Sequence, residues 1–180
     1  MLILRPIQKR DAAAVARIHA LSWRDAYRGI LRDAFLDGQV LDERFAHWRG
    51  ILDHPTPEQV GFLALEEDGA LGFIWGEGRA DPRWGTLLDN LHVLPGHRGE
   101  RIGTRLMHAL AEEALGRWPE DPVHLWCFEA NRRSLAYYRR HGGRPVERRP
   151  IPDPEGAMVM AWRYAWDGPR ALLDLTAGPE

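Results

Sequence analysis

Apolar residues recur at intervals of three and four from Ile102 to Ala114. Ile102, Leu106, Met107, Leu110 and Ala114 form one stripe, which predicts a long amphipathic helix to about Leu115. Ahead of it Leu91 and Val93 flank His92 in period two, predicting a strand from about Thr86 to Val93, and Pro95-Gly96 forces a turn. Earlier in the chain, Met1 to Ile7 alternates as a strand. Asp11 is placed to cap a helix carrying Ala14, Val15, Ile18 and Leu21. A second helix is predicted over Leu41 to Leu52, with Leu41, Phe45, Trp48 and Leu52 on one face and Pro55 and Pro57 ending it. Val60 to Leu65 and Ala70 to Trp75 read as strands joined by Glu66 to Gly69, since Asp-Gly between apolar runs signals a hairpin.

After the long helix, VHLWCF (Val123 to Phe128) is an apolar strand. The strand, helix and strand together predict a right-handed parallel crossover. A shorter helix is expected from Asn131 to His141, stopped by Gly142 and Gly143. Two late strands, near Pro145 to Arg149 and Ala157 to Trp166, pair around IPDPEG. From Asp167 the pattern is weak, so residues 1–166 are expected to form the domain and 167–180 a tail.

With 180 residues, 44% of them hydrophobic and 28% charged, the chain suits one soluble domain. The formal charge is 24 minus 26, or −2, so no basic field points to nucleic acid. Cys127 has no partner cysteine, which fits a reducing compartment. MLILRPIQKR carries no secretory pattern and no apolar run reaches membrane-spanning length; a cytoplasmic protein is expected, without a membrane partner.

The densest chemistry lies in HRGERIGT, His97 to Thr104, where the long helix must begin. A helix start leaves backbone N–H groups free and adds partial positive charge. Gly99 and Gly103 let an anion approach the backbone, and Arg98 and Arg101 add full charge. A pyrophosphate cradle and a basic loop capping an ordinary surface helix both fit this segment alone. A nucleotide P-loop does not, because no Gly-Lys-Ser/Thr closes it; the lysine of the chain is Lys9.

A strand ending in apolar-x-Val, a nearby Pro, then Arg-Gly-x-x-Ile-Gly opening a helix resembles the acetyl-coenzyme A motif of the GNAT N-acetyltransferases. Arg98 and Gly103 match that motif, while Arg101 stands at its first glycine position. The second stretch, FEANRRSLAYYRRHGG, resembles the family's Asn-x-x-Ala-x-x-Phe/Tyr-Tyr-x-x-x-Gly-Phe. Asn131, Tyr137, Tyr138 and Gly142 match, Ser134 replaces Ala and Gly143 replaces Phe. The resemblance implies an α/β fold in a single domain: a mixed, largely antiparallel twisted sheet with a central parallel β-α-β crossover and flanking helices. It also implies an N-acetyltransferase that moves acetyl from acetyl-CoA to a primary amine by direct attack, with Cys127 a buried strand residue rather than a nucleophile.

By the same resemblance, the Leu91–His92–Val93 backbone pairs with the pantetheine arm. Arg98, Gly99, Glu100, Arg101, Ile102, Gly103 and Thr104 hold the pyrophosphate, Asn131 touches the pantetheine side, and Tyr138 protonates the departing thiolate. No metal site is assigned. The family's usual base, a strand Glu, falls at Leu87 in this chain, which leaves Asp89, His92, Glu129 or a water chain. Trp23 to Leu36 with Asp33, Asp37, Asp42 and Glu43 could line the amine acceptor or be a solvated face; Trp75 and Trp84 are further candidates. A non-catalytic acyl-CoA-binding domain is the alternative, favoured by Leu87 and opposed by Tyr138. The late Ala157 to Trp166 strand, read as an apolar edge, leads to the expectation of a homodimer.

Overall fold

The computed structural model describes residues 1–176. Strands β1 (Ile3–Pro6), β2 (Gln59–Glu66), β3 (Gly69–Asp81), β4 (Gly85–Val93), β5 (Val123–Phe128), β6 (Arg144–Pro152) and β7 (Met158–Trp166) form one sheet in the order β1-β2-β3-β4-β5-β7-β6. Every neighbouring pair is antiparallel except β4 and β5, which are parallel. Helices α1 (Ala12–Ala26) and α2 (Val40–Asp53) cover one face. Helix α3 (Ile102–Arg117) crosses the other between β4 and β5, and α4 (Arg132–Arg140) follows β5. This is the mixed sheet with a central parallel crossover expected above.

Alternation along the strands fills both faces. Ile74 and Leu88 meet the α3 stripe, in which Ile102, Leu106, Met107, Leu110 and Ala114 are all buried. Phe73 and Trp75 point the other way, toward Val15 and Ile18 of α1 and Trp48 of α2. Gly76 lets α3 close on the sheet, since a Cβ there would come within 2.9 Å of Leu110 Cδ1. Trp48 Nε1 donates to His19 Nδ1 at 3.0 Å, joining α2 to α1 inside the second core.

Helix α2 buries Trp48 and Leu52 of the predicted face, but its first turns are rotated from that prediction. Val40, Arg44, Trp48 and Leu52 point inward, whereas Leu41 and Phe45 are exposed. Arg44 hides in the sequence pattern because its charge suggests water. In the fold its stem is buried and its guanidinium lies 4.6 Å from the Trp23 ring centroid. A π-helical turn, Phe35–Gln39, feeds this helix. The segment after Asp167 also differs from the weak pattern read there. Pro169–Thr176 forms α5, whose Leu172 is buried in the α3 core. The end of the expected tail, 177–180, lies outside the described residues.

Strand β7 is interior, paired with β5 on one side and β6 on the other, so it does not supply the apolar edge on which a homodimer was expected. The outer strand is β6, RPVERRPIP, guarded by prolines and arginines.

At the end of β3 a clamp crosses the sheet. Arg163 of β7 donates to Asp81 Oδ2 at 2.8 Å, and Asp81 Oδ1 accepts the backbone N–H of Arg83 and of Trp84, each at 2.9 Å. Burial raises the Asp81 pKa, but the Arg163 bond and the two backbone donors outweigh it and bring it down to about 2. A folded-state pKa below the unfolded value stabilises above about pH 4, and that contribution is lost as pH falls toward 2. Asp81→Asn should lower stability at neutral pH and flatten its acid dependence between about pH 4 and 2. Urea titrations of both proteins across that range check this; parallel curves contradict the clamp.

Candidate functional site

Strands β4 and β5 pair only at Thr86–Val123 and Leu87–His124, then part. On their outer sides β3 pairs with β4 through Val93, and β7 with β5 through Phe128. The inner edges of Leu91–Val93 and of the far half of β5 therefore face each other across a gap with no strand between them. A bulge in β4 helps to open it: Gly76 pairs with Leu88 and Trp75 with Asn90, leaving Asp89 unopposed. The gap is a cleft of about 430 Å³, floored by Leu91, His92 and Val93 and walled by Trp126 and Cys127.

One end of the cleft is built for an anion. Gly99 (φ 90°) and Arg101 (φ 60°) both adopt left-handed backbone conformations, turning the chain so that α3 starts at Ile102 facing the gap. Arg98, Gly99, Arg101, Ile102, Gly103 and Thr104 all line it, with Arg133 and Arg140 from α4. Tyr137 supplies a polar atom with no protein partner: its buried Oη lies against Gly103. Glu100 is the exception among the predicted residues; it is exposed, does not line the cleft, and its carboxylate lies 3.3 Å from His97. Asp25, at the end of α1, accepts from Arg98 and, at 3.0 Å, from Arg133, spanning the mouth. Those two bonds hold its carboxyl below the ordinary range. A phosphate-bearing ligand fits this donor set, and its oxygens would compete with Asp25 for the same guanidinium groups.

The inner end is nearly uncharged. Asn131 caps α4, its Oδ1 accepting from Ser134 N at 3.2 Å, which aims Tyr138 back toward β5. Tyr138 is buried, lines the cleft, and is held protonated because burial pushes its pKa well above 10. Tyr27 shares the wall and is pushed up for the same reason. Burial raises Cys127 to about 12, so it stays a thiol. The His92 side chain turns toward α1, stacking on His19 at 4.3 Å with Nδ1 3.0 Å from Ser22 Oγ. Burial, aided by Arg44 and Arg98, lowers it to about 3.

Of the base candidates, Asp89 and His92 line the cleft and Glu129 does not. Glu129 accepts from Arg148 at 2.9 and 2.8 Å and from Trp162 Nε1 at 3.0 Å. The carboxylates of the 33–43 segment are engaged locally or exposed: Arg28 binds Asp33 and Asp37, and Arg44 binds Glu43. Arg32 in that segment reaches Glu155 on the β6–β7 turn. Trp75 is a core residue, and Trp84 stacks under Arg83 and Arg163. Sequence reasoning missed Asp25 and Arg133 as a pair because 108 positions separate them. The signal for Tyr137 was present in the adjacent Tyr-Tyr, but only the helix register shows which ring faces Gly103.

A parted parallel pair with a helix start aimed into the gap is the frame of this α/β site, and comparison with known proteins identifies its family. The sequence profile of the acetyltransferase (GNAT) family matches residues 15–143, and the chain belongs to that family. Similar solved structures include the PaiA N-acetyltransferase of Thermoplasma acidophilum in complex with coenzyme A (15% identity, 89% of this chain and 98% of that one, TM-score 0.68). A GCN5-related N-acetyltransferase of Rhodopseudomonas palustris is similar at 19% identity, 92% and 94% coverage and TM-score 0.72. Arabidopsis thaliana NAA60 in complex with acetyl-CoA is similar at 17% identity, 92% and 98% coverage and TM-score 0.65. No curated protein sequence matches the chain.

Arg101 is a strained substitute for glycine, because its Cβ crowds the backbone at φ 60°. Arg101→Gly should raise stability by up to about 1 kcal/mol, strain relief being partly offset by the greater freedom of glycine in the unfolded chain. Urea denaturation checks it; a loss of stability would show that the arginine side chain itself holds the loop.

Proposed function

We propose that this chain transfers the acetyl group of acetyl-CoA to a primary amine by direct attack, with both substrates held together. The observation that carries the reading is the gap between β4 and β5, with an arginine-rich helix start at one end and Tyr138 at the other. The coenzyme A and acetyl-CoA bound by the Thermoplasma and Arabidopsis proteins support it. Arg98, Gly99 and Arg101 to Thr104 hold the pyrophosphate. Leu91 and Val93 pair with the pantetheine through their backbones, as an added strand would, and Asn131 steadies its other side. Acetyl-CoA supplies an activated thioester, and no protein nucleophile is needed. Tyr138 keeps a proton on Oη at neutral pH, ready for the departing sulfur.

Membership of the family supports an acyltransferase, and the lone Cys127 a reducing compartment such as the cytoplasm. Among the described residues no helix is long and apolar enough to cross a membrane. The second reading, an acyl-CoA-binding domain without turnover, is favoured by Leu87 at the usual base position. Thiol release from acetyl-CoA across a panel of amines separates the two.

Arg98→Gln removes a cation from the anion end and leaves Asp25 less neutralised there. Acetyl-CoA affinity should fall roughly tenfold, or about 1.4 kcal/mol, by calorimetry at low salt. Unchanged affinity contradicts the cradle. Tyr138→Phe keeps the ring packing and removes the acid. Turnover at saturating amine should fall by roughly two orders of magnitude while acetyl-CoA binding holds. A variant with full turnover removes Tyr138 from the chemistry, and a defect in Tyr137→Phe instead moves the role by one residue.

A further inference from the structure

Leu87, where the family's glutamate is usual, lies on a sheet face with carboxylates on two sides. Across the β3–β4 ladder its partner is Glu77, and two residues along β4 is the bulge residue Asp89. The bulge matters because an unopposed residue is free of the ladder's alternation. Asp89 lines the cleft and remains open to solvent, so an amine arriving there can touch it. We propose that Asp89 accepts the proton of the acceptor ammonium and that Glu77, across the ladder, is a positioning residue that assists it. This rests on the acetyltransferase reading above.

The surroundings of Asp89 favour that role. Burial of its carboxyl against the cleft wall raises its pKa above the ordinary carboxylate range, although the residue keeps solvent access. Arg44 from α2 opposes that rise, Glu77 from β3 adds to it, and the Asn90 side chain, donating at 2.6 Å, opposes it. The remaining polar groups beside it are Tyr27, pushed up by burial, and His92, pushed down to about 3; neither carries charge at neutral pH. A carboxylate raised in this way is a stronger base than one in water. Two carboxylates on one face also attract a cation, which is the form in which an amine arrives.

The protons balance without a further reactant. The ammonium gives one proton to Asp89. The freed nitrogen lone pair bonds the acetyl carbon while the C–S bond breaks, and Tyr138 Oη protonates the sulfur. The nitrogen's second surplus proton restores Tyr138 through water, and Asp89 releases its own to solvent. Net, one proton leaves per acetyl group moved.

Asp89→Asn should lower kcat roughly a hundredfold or more with acetyl-CoA affinity unchanged, and Asp89→Glu should recover part of the loss. Glu77→Gln should keep kcat at alkaline pH but move the acid limb of kcat/KM to lower pH, because a like charge that raises Asp89 is gone. Carbon-13 NMR of the Asp89 carboxyl, which needs no turnover, should show the same downward shift of its midpoint. An Asp89→Asn protein with more than about a tenth of normal turnover, or a Glu77→Gln protein with both limb and midpoint unmoved, overturns the assignment. Wild-type protein that binds acetyl-CoA yet releases thiol with no amine overturns the acetyltransferase reading, and the base role with it. That outcome is distinct because the loss is then present before any substitution.

Discussion

Two parallel strands that separate must leave backbone N–H and C=O groups without partners, and such groups are costly anywhere but in contact with water or a ligand. Here β4 and β5 tolerate it because their outer edges are locked by β3 and β7 and because α3 wedges its buried stripe beneath the parting. Separation thus needs no flexibility. Every other site feature follows from it: the loop at 98–101 is aimed by the end of β4, and Tyr138 is carried by the helix after β5. Closing the gap would require moving the buried α3 layer beneath it.

Charge is arranged around that gap by burial rather than by composition. The centre holds groups that stay neutral: Tyr27 and Tyr138 keep their protons, Cys127 stays a thiol, and His92 stays unprotonated. Cations gather at the mouth and carboxylates beyond the bulge. A near-neutral chain, with formal charge −2, thereby gathers its arginines at one end of a cleft whose centre is uncharged. Net charge conveys nothing of this.

Legibility in the sequence followed the range of the interactions. The α3 stripe was readable because periodicity is local, and β5 was readable to the residue because Val123–Phe128, apolar but for His124, lies between prolines and Asn131. The first half of helix α2 was read on the wrong face, although Trp48 and Leu52 were right, because Arg44 hides a buried position behind a charge. Helix α5 was missed because PRALLDLT is too short to set a period and draws its stability from contact with α3. In the site, contiguous stretches were recoverable and cross-chain pairs such as Asp25 with Arg98 were not. Glu100 shows the limit of motif reasoning: a left-handed residue beside it turns one member of the run outward.

The guarded outer strand has a consequence for what the sheet will accept. Pro145, Pro150 and Pro152 remove donors along β6, and Arg148 and Arg149 crowd its rim, so another polypeptide cannot zip onto that border. Strand β1 at the opposite border is only 4 residues long and ends in Pro6. The unpaired edges of β4 and β5 face inward instead, into the cleft. Both outer borders of the sheet thus discourage strand addition, and the strand edges left unpaired lie inside the cleft.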